Sequence, residues 1–193
     1  MLRKEDGNIK LAFITSNKHK YIEVKQVLSG WNIELYFTSI AKIEIQNEDI
    51  ETISKTAAIY AYNILKKPLV VEDSGLFIEA LNGFPGPFSN YVYKTIGNKG
   101  ILYLMRNKSN RRAYFKASVT CVYNQYIMTF NGLVNGKIST EPRGEKGFGF
   151  DPIFIPEGFN KTVAELGEDV KNKISHRSKA FTKLAMWISK QKL

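Results

Sequence analysis

The chain has 193 residues, 44% of them hydrophobic, and its 28 lysines and arginines outnumber 18 acidic residues to leave a net charge of +10. That length supports one large core, or a core with a smaller lobe. With no Pro/Gly/Ser-rich linker or repeat to divide it, one domain over residues 1–193 is expected. The charge favours polyanions, from nucleic acid to free nucleotides, but the lysines are scattered without a compact run, which argues against a dedicated nucleic-acid partner.

In chain order, residues 1–7 lack the apolar core of a signal peptide, and no apolar run approaches the roughly 20 residues needed to span a bilayer. A cytoplasmic protein without membrane association is expected. Residues 11–14 read as a buried strand, followed by Thr15-Ser16-Asn17 and an amphipathic helix carrying Tyr21, Val24, Val27 and Leu28, with Gly30 placed to end it. Ile33–Phe37 alternates like a second strand. A helix over about 51–65 puts Ile53, Ala57, Tyr60, Ala61 and Ile64 on one face, and Pro68 closes it. Residues 69–71 form a short β-branched run, the pattern of a strand buried on both faces, with Glu72-Asp73-Ser74-Gly75 as a tight turn after it. The opening half is therefore β-α-β-α-β.

A rigid loop over 82–87 and two short helices near 89–96 and 99–106 come next. Arg112–Tyr123 and residues 126–134 then read as a hairpin around Asn124-Gln125, with 133–138 bending or extending its second strand. Cys121, the single cysteine, lies in the first of these strands and reads as a buried thiol, in keeping with a reducing cytosol. A Gly-rich, charged loop covers 139–151, residues 153–155 are a short strand, and 178–190 form a closing helix with Phe181, Leu184, Ala185 and Ile188 inward. Long antiparallel strands make the α/β sheet mixed.

Ligands of open α/β sheets bind at the carboxyl ends of strands. Glu72 and Asp73 at such an end suggest a metal-assisted hydrolysis, since Mg²⁺ takes one or two protein carboxylates together with substrate phosphates. The plain alternative is that Asp73 and Ser74 only turn the chain. Glu44 is a further candidate ligand, but Glu48, Asp49 and Glu51 are equally acidic, and spacing does not choose among them. Thr15, Ser16, Asn17, Lys18, His19 and Lys20 sit where the first strand hands over to a helix, and backbone N–H groups, hydroxyls and lysines there suit phosphate. Simple capping by Ser16 or Asn17 is the competing account. Phe148, Gly149, Phe150 and Asp151 offer aromatic faces, a close-approach glycine and a carboxylate for a nucleobase, although at least one of the two phenylalanines is better read as core. Lys171, His176 and Arg177 place donors before the last helix, suited to carbonyl oxygens or phosphate.

Six motifs in order, Thr15-x-Asn17-x-x-Lys20, Glu44-x-Gln46, Glu72-Asp73-Ser74-Gly75, Gly83-Phe84-Pro85-Gly86, Phe148-Gly149-Phe150-Asp151-Pro152 and Ser175-His176-Arg177, resemble the inosine triphosphate pyrophosphatase, or Ham1-like, family over nearly the whole chain. The resemblance implies an elongated, twisted mixed sheet flanked by helices, two lobes with a central cleft, and a homodimer. It also implies Mg²⁺-dependent hydrolysis of ITP, dITP and XTP to the monophosphate and pyrophosphate, which cleanses the nucleotide pool of deaminated purines.

By matching position, Thr15, Asn17 and Lys20 would grip the triphosphate. Glu44 and Asp73 would serve the metal, with Glu72 an alternative ligand, and Asp73 would be the base for water. Ser74 would contact substrate, Phe148 to Asp151 would hold the base, and Lys171, His176 and Arg177 would complete the phosphate and purine site. Asn90 stands where some relatives carry lysine, and Phe150 where others carry Trp or Tyr. Two other readings compete: a basic, non-catalytic nucleic-acid-binding protein, and a related hydrolase of modified pyrimidine triphosphates, which would lack the Ser-His-Arg set.

Overall fold

The computed structural model describes residues 9–38 and 40–191, so the reading of residues 1–7 lies outside the described residues. Seven strands, β1 (Ile9–Ile14), β2 (Ile33–Phe37), β3 (Leu69–Ile78), β4 (Pro85–Gly86), β5 (Arg112–Tyr123), β6 (Tyr126–Ile138) and β7 (Phe154–Pro156), form one mixed sheet. The strand order is β2-β1-β3-β5-β6-β7, with β4 paired to β3. β1 is parallel to β2 and β3, and every other pairing is antiparallel. The helices are α1 (Lys18–Val27), α2 (Ile50–Leu65), α3 (Ser89–Thr95), α4 (Gly97–Leu104), α5 (Val163–Leu166), α6 (Glu168–Ile174) and α7 (His176–Lys190).

Alternation along β1 and β3 sends successive residues to opposite faces. Leu11, Phe13 and Val70 pack under α1 and α7 with Val24, Phe181 and Leu184. Ala12, Ile14, Leu69 and Val71 pack under α2, whose Ala57, Ala58 and Ala61 are small enough for close approach. Further along the same strand Leu76 and Ile78 enter a separate apolar cluster with Ile101, Met105, Phe150 and Phe154. Glu72, Asp73 and Ser74 thus lie in a polar belt between the apolar clusters at the two halves of β3.

The segment Glu72-Asp73-Ser74-Gly75 is not the expected tight turn. β3 runs straight through it, because β5 pairs with the whole strand in an unbroken antiparallel register from Leu69↔Val122 to Ile78↔Ala113. Gly75 has a packing reason instead: a Cβ there would collide with the carbonyl oxygen of Gly86 in β4. On the edge away from β5, β3 pairs with β1 only as far as Val71 and with β4 at Leu76 and Phe77. Residues 72–75 therefore have no strand neighbour on that edge among the described residues, and the belt opens there.

The hairpin turn falls at Asn124 and Gln125, both with positive φ of 48° and 67°, the type I′ geometry whose twist suits antiparallel strands. β6 extends to Ile138 as one strand. α7 begins at His176, two residues before the expected start, because Ser175 caps it by accepting from the Ser178 N–H. β7 begins one residue later than expected, after a 3-10 turn over Asp151–Ile153. Among the described residues no helix is long and apolar enough to cross a membrane.

Candidate active site

At the carboxyl end of β1 the chain turns into α1. Asn17, not Ser16, is the cap, its Oδ1 accepting from His19 N–H at 3.0 Å and Lys20 N–H at 3.2 Å, while Thr15 Oγ1 accepts from Asn17 N–H at 3.1 Å. Ser16, Lys18 and His19 are exposed around this cap, and the Lys20 side chain reaches down to the Glu72 carboxylate at 2.7 Å. The His19 ring stacks on Phe148 with centroids 5.3 Å apart.

Glu72 is buried in an ion-pair cluster. Arg177 of α7, only 2% exposed, places Nη2 3.1 Å from Glu72 Oε1 and donates through Nη1 to Glu23 Oε2 at 2.8 Å and through Nη2 to Ser74 Oγ at 3.1 Å. Burial alone would push the Glu72 carboxyl up, but Arg177 and Lys20 outweigh it and hold the group well below the usual range. Glu72 thus lies on the face of β3 opposite Asp73, with its carboxylate engaged by Lys20 and Arg177. Arg177, expected as a free donor to a purine, has its guanidinium occupied by two carboxylates and a hydroxyl.

Asp73 points to the α2 face. Its Oδ1 accepts from Lys42 Nζ at 2.8 Å, and the same ammonium donates to Glu44 Oε1 at 3.0 Å. Burial raises the Asp73 carboxyl above its ordinary value, while Lys42 and Lys20 pull it back. The structure separates the nearby acids that spacing left equivalent: Asp49 caps α2 by accepting from Glu51 and Thr52 N–H, Glu51 accepts from Asn131 Nδ2 at 2.8 Å, Glu48 is exposed, and Glu44 shares the Lys42 ammonium with Asp73. Two hard oxygens converging on one positive charge match what Mg²⁺ takes from a protein, so the donor set fits that ion. Among the described residues no group of three or more His, Cys, Asp or Glu converges, so a cation here would draw its other ligands from water and phosphate.

The loop before β7 wraps around Asp151. Its Oδ2 accepts from Phe148 N–H at 2.9 Å and from Lys171 Nζ at 2.7 Å. Gly147, with φ of +81°, has no room for a Cβ against that carboxylate. Lys171 Nζ also lies 4.0 Å from the Phe148 ring centroid. The Gly149 carbonyl accepts from Asn98 Nδ2 at 3.2 Å. Phe150, by contrast, is core: it is 4% exposed and meets Tyr93 edge-on, so it does not hold a base, and Phe148 is the ring at the site. His176 stacks on Phe115 at 4.8 Å; burial, and then the Arg177 charge, lower its pKa well below the ordinary value and keep it neutral. Gly132 of β6 lets this end of α7 lie on the sheet, because a Cβ there would strike the His176 carbonyl oxygen.

The sequence model of the Ham1 family matches residues 11–187. The chain belongs to the Ham1 family. This Ham1 chain is 50% identical over 188 residues to the dITP/XTP pyrophosphatase of Saccharolobus solfataricus, covering 97% of this chain and 96% of that protein. It is 50% identical over 180 residues to the protein of that name from Methanopyrus kandleri, covering 93% and 96%. Among solved structures it is similar to a HAM1 protein from Coxiella burnetii, with a TM-score of 0.85 at 28% identity over 94% of this chain and 98% of that one. The Staphylococcus aureus Ham1 protein gives a TM-score of 0.82 at 26% identity over 95% and 100%.

Two residues at the Ham1 site escaped the sequence reading. Glu23 joins Arg177, Lys171 at 3.5 Å and Ser175 Oγ at 3.0 Å. Its signal was a carboxylate at i−4 from Val27, on the apolar face of α1. Lys42 carries no comparable signal, because it lies in a segment with neither helix nor strand around it.

Proposed function

We propose that this chain is a Mg²⁺-dependent nucleoside triphosphate pyrophosphatase that hydrolyses ITP, dITP and XTP to the monophosphate and pyrophosphate. The observation that carries the reading is the convergence of Glu44 and Asp73 on one positive charge beside the open edge of β3. The names of the 50%-identical relatives support it. A base on Phe148 lies on the α1/α7 face and the carboxylate pair on the α2 face, and a polyphosphate joins them across residues 72–75, where β3 has lost its neighbour.

Bound Mg²⁺ supplies charge neutralisation of the phosphate oxygens and polarises the phosphorus under attack. The N–H groups and side chains of the α1 start take the polyphosphate, with Lys20 at the boundary between phosphate and Glu72. Asp73, buried and with its basicity raised by that burial, orients a water toward the α-phosphorus and accepts its proton. Arg177 and Glu23 hold Glu72 and Ser74 rigid beneath the reacting group.

Base choice follows from donor and acceptor order. An oxo-purine presents an acceptor at position 6 and an N–H at position 1, which suit the Lys171 ammonium and the Asp151 carboxylate. Adenine reverses both groups and leaves them unpaired, a mismatch that can give up to roughly 10⁴- to 10⁵-fold selectivity. The reading extends to a cytoplasmic homodimer cleansing the nucleotide pool. Its test is a panel of nucleoside triphosphates with Mg²⁺: XTP, ITP and dITP should release pyrophosphate far faster than ATP, and orthophosphate release or equal rates on ATP would defeat it.

A further inference from the structure

Lys42 stands between the two carboxylates assigned to the metal, 3.0 Å from Glu44 Oε1 and 2.8 Å from Asp73 Oδ1, with a side chain 10% exposed. A lysine in contact with two carboxylates carries its positive charge as an ammonium. Mg²⁺ needs these oxygens at about 2.0–2.1 Å. An ammonium in contact with the same two oxygens fills that space and repels a divalent ion, so both cannot occupy it. Loading the metal is therefore an exchange of one cation for another. Residues 40–49 carry no helix or strand, and the Lys42 stem can swing away without unpairing a ladder or a helix turn.

We propose that Lys42 is a tethered counter-ion of the metal site: it holds Glu44 and Asp73 together in the nucleotide-free protein and competes with the divalent cation until substrate brings that cation in. The inference rests on the metal reading above and adds a residue to it. Glu44 and Asp73 would otherwise face each other as like charges, and Lys42 removes that repulsion at the cost of weaker metal binding when no nucleotide is present. Once displaced, the ammonium is released beside the incoming polyphosphate, where its charge is again compensated.

The test is Mn²⁺ binding to the nucleotide-free protein, followed by the electron paramagnetic resonance signal of free Mn²⁺, alongside thermal unfolding with EDTA or with Mn²⁺. Lys42→Met should bind Mn²⁺ at least about tenfold more tightly than the unaltered chain, the equivalent of removing one modest charge repulsion. Lys42→Arg, which keeps the charge, should bind much as the unaltered chain does. Lys42→Met should also melt lower than the unaltered chain in EDTA and recover with Mn²⁺, a reversal that also shows that the variant is folded. Equal or weaker Mn²⁺ binding by Lys42→Met overturns the proposal. If adding Glu44→Gln and Asp73→Asn to Lys42→Met leaves its Mn²⁺ binding unchanged, the metal lies elsewhere, and the metal reading falls together with the inference.

Discussion

Glu72 and Asp73 are consecutive residues of one strand, yet their carboxylates lie on opposite faces of the sheet, Glu72 against Arg177 and Lys20 and Asp73 against Lys42. The pleat imposes this division, since side chains alternate with period two. One carboxylate is committed to structure and the other is set beside a segment without helix or strand and an open strand edge.

The two should respond differently to neutralisation. Asp73→Asn is expected to cut kcat by roughly 10²- to 10⁴-fold, the usual contribution of a positioned base, with little loss of thermal stability. Glu72→Gln leaves Arg177 short of a buried partner and should cost about 3 kcal/mol of folding stability. The folded-state pKa of Glu72 lies below its ordinary 4.5, so its stabilisation is complete above that value and fades as pH falls below it. Denaturant melts of Glu72→Gln and the unaltered chain should therefore converge in acid. A Glu72→Gln protein as stable as its parent at pH 7 would refute the assignment.

Phe148 and Phe150 divide in the same way. Phe148→Ala should weaken binding of every purine triphosphate through about 1–3 kcal/mol of lost stacking, with the fold retained. Phe150→Ala should cost about 3–5 kcal/mol of folding stability through the cavity it leaves. Calorimetric melting together with nucleotide affinity separates the two effects.

Much of this arrangement is legible in the sequence. Helical and two-residue periods located the sheet, the hairpin and the helices under which Leu11, Phe13 and Val70 pack, because burial of an apolar face leaves a regular trace. The course of Glu72-Asp73-Ser74-Gly75 was not legible: Asp, Ser and Gly favour turns locally, and the ten-residue register with β5 that overrides them is a long-range pairing. Phe148 and Phe150 share one alternation signal, and only the packing of Tyr93 against Phe150 tells them apart. Lys42 left no trace, since its partner Asp73 is 31 residues away.

His176 should make stability pH-dependent. Its folded-state pKa lies well below the ordinary 6.5, so between those values the unfolded chain binds more protons and stability falls as pH drops. The slope is at most about 1.4 kcal/mol per pH unit for one group. His176→Asn should flatten the fall between pH 7 and pH 5 in denaturant melts, and an unchanged slope would show that His176 titrates normally.

Gly132→Ala should lift the first turn of α7 from the sheet, because its Cβ meets backbone atoms of His176 and Ala180 that cannot rotate away. A loss of about 1–3 kcal/mol is expected for such overpacking. The displaced turn carries His176 and Arg177, so KM for XTP should rise as well, measurable by steady-state kinetics on the folded variant.

The most direct measurement of the central claim is hydrolysis of XTP in ¹⁸O-labelled water with Mg²⁺, with the label located by mass spectrometry. In the proposed mechanism Asp73 directs water at the α-phosphorus, which predicts one ¹⁸O in xanthosine monophosphate and none in pyrophosphate. Label in the pyrophosphate, or release of labelled orthophosphate with a diphosphate product, would contradict it.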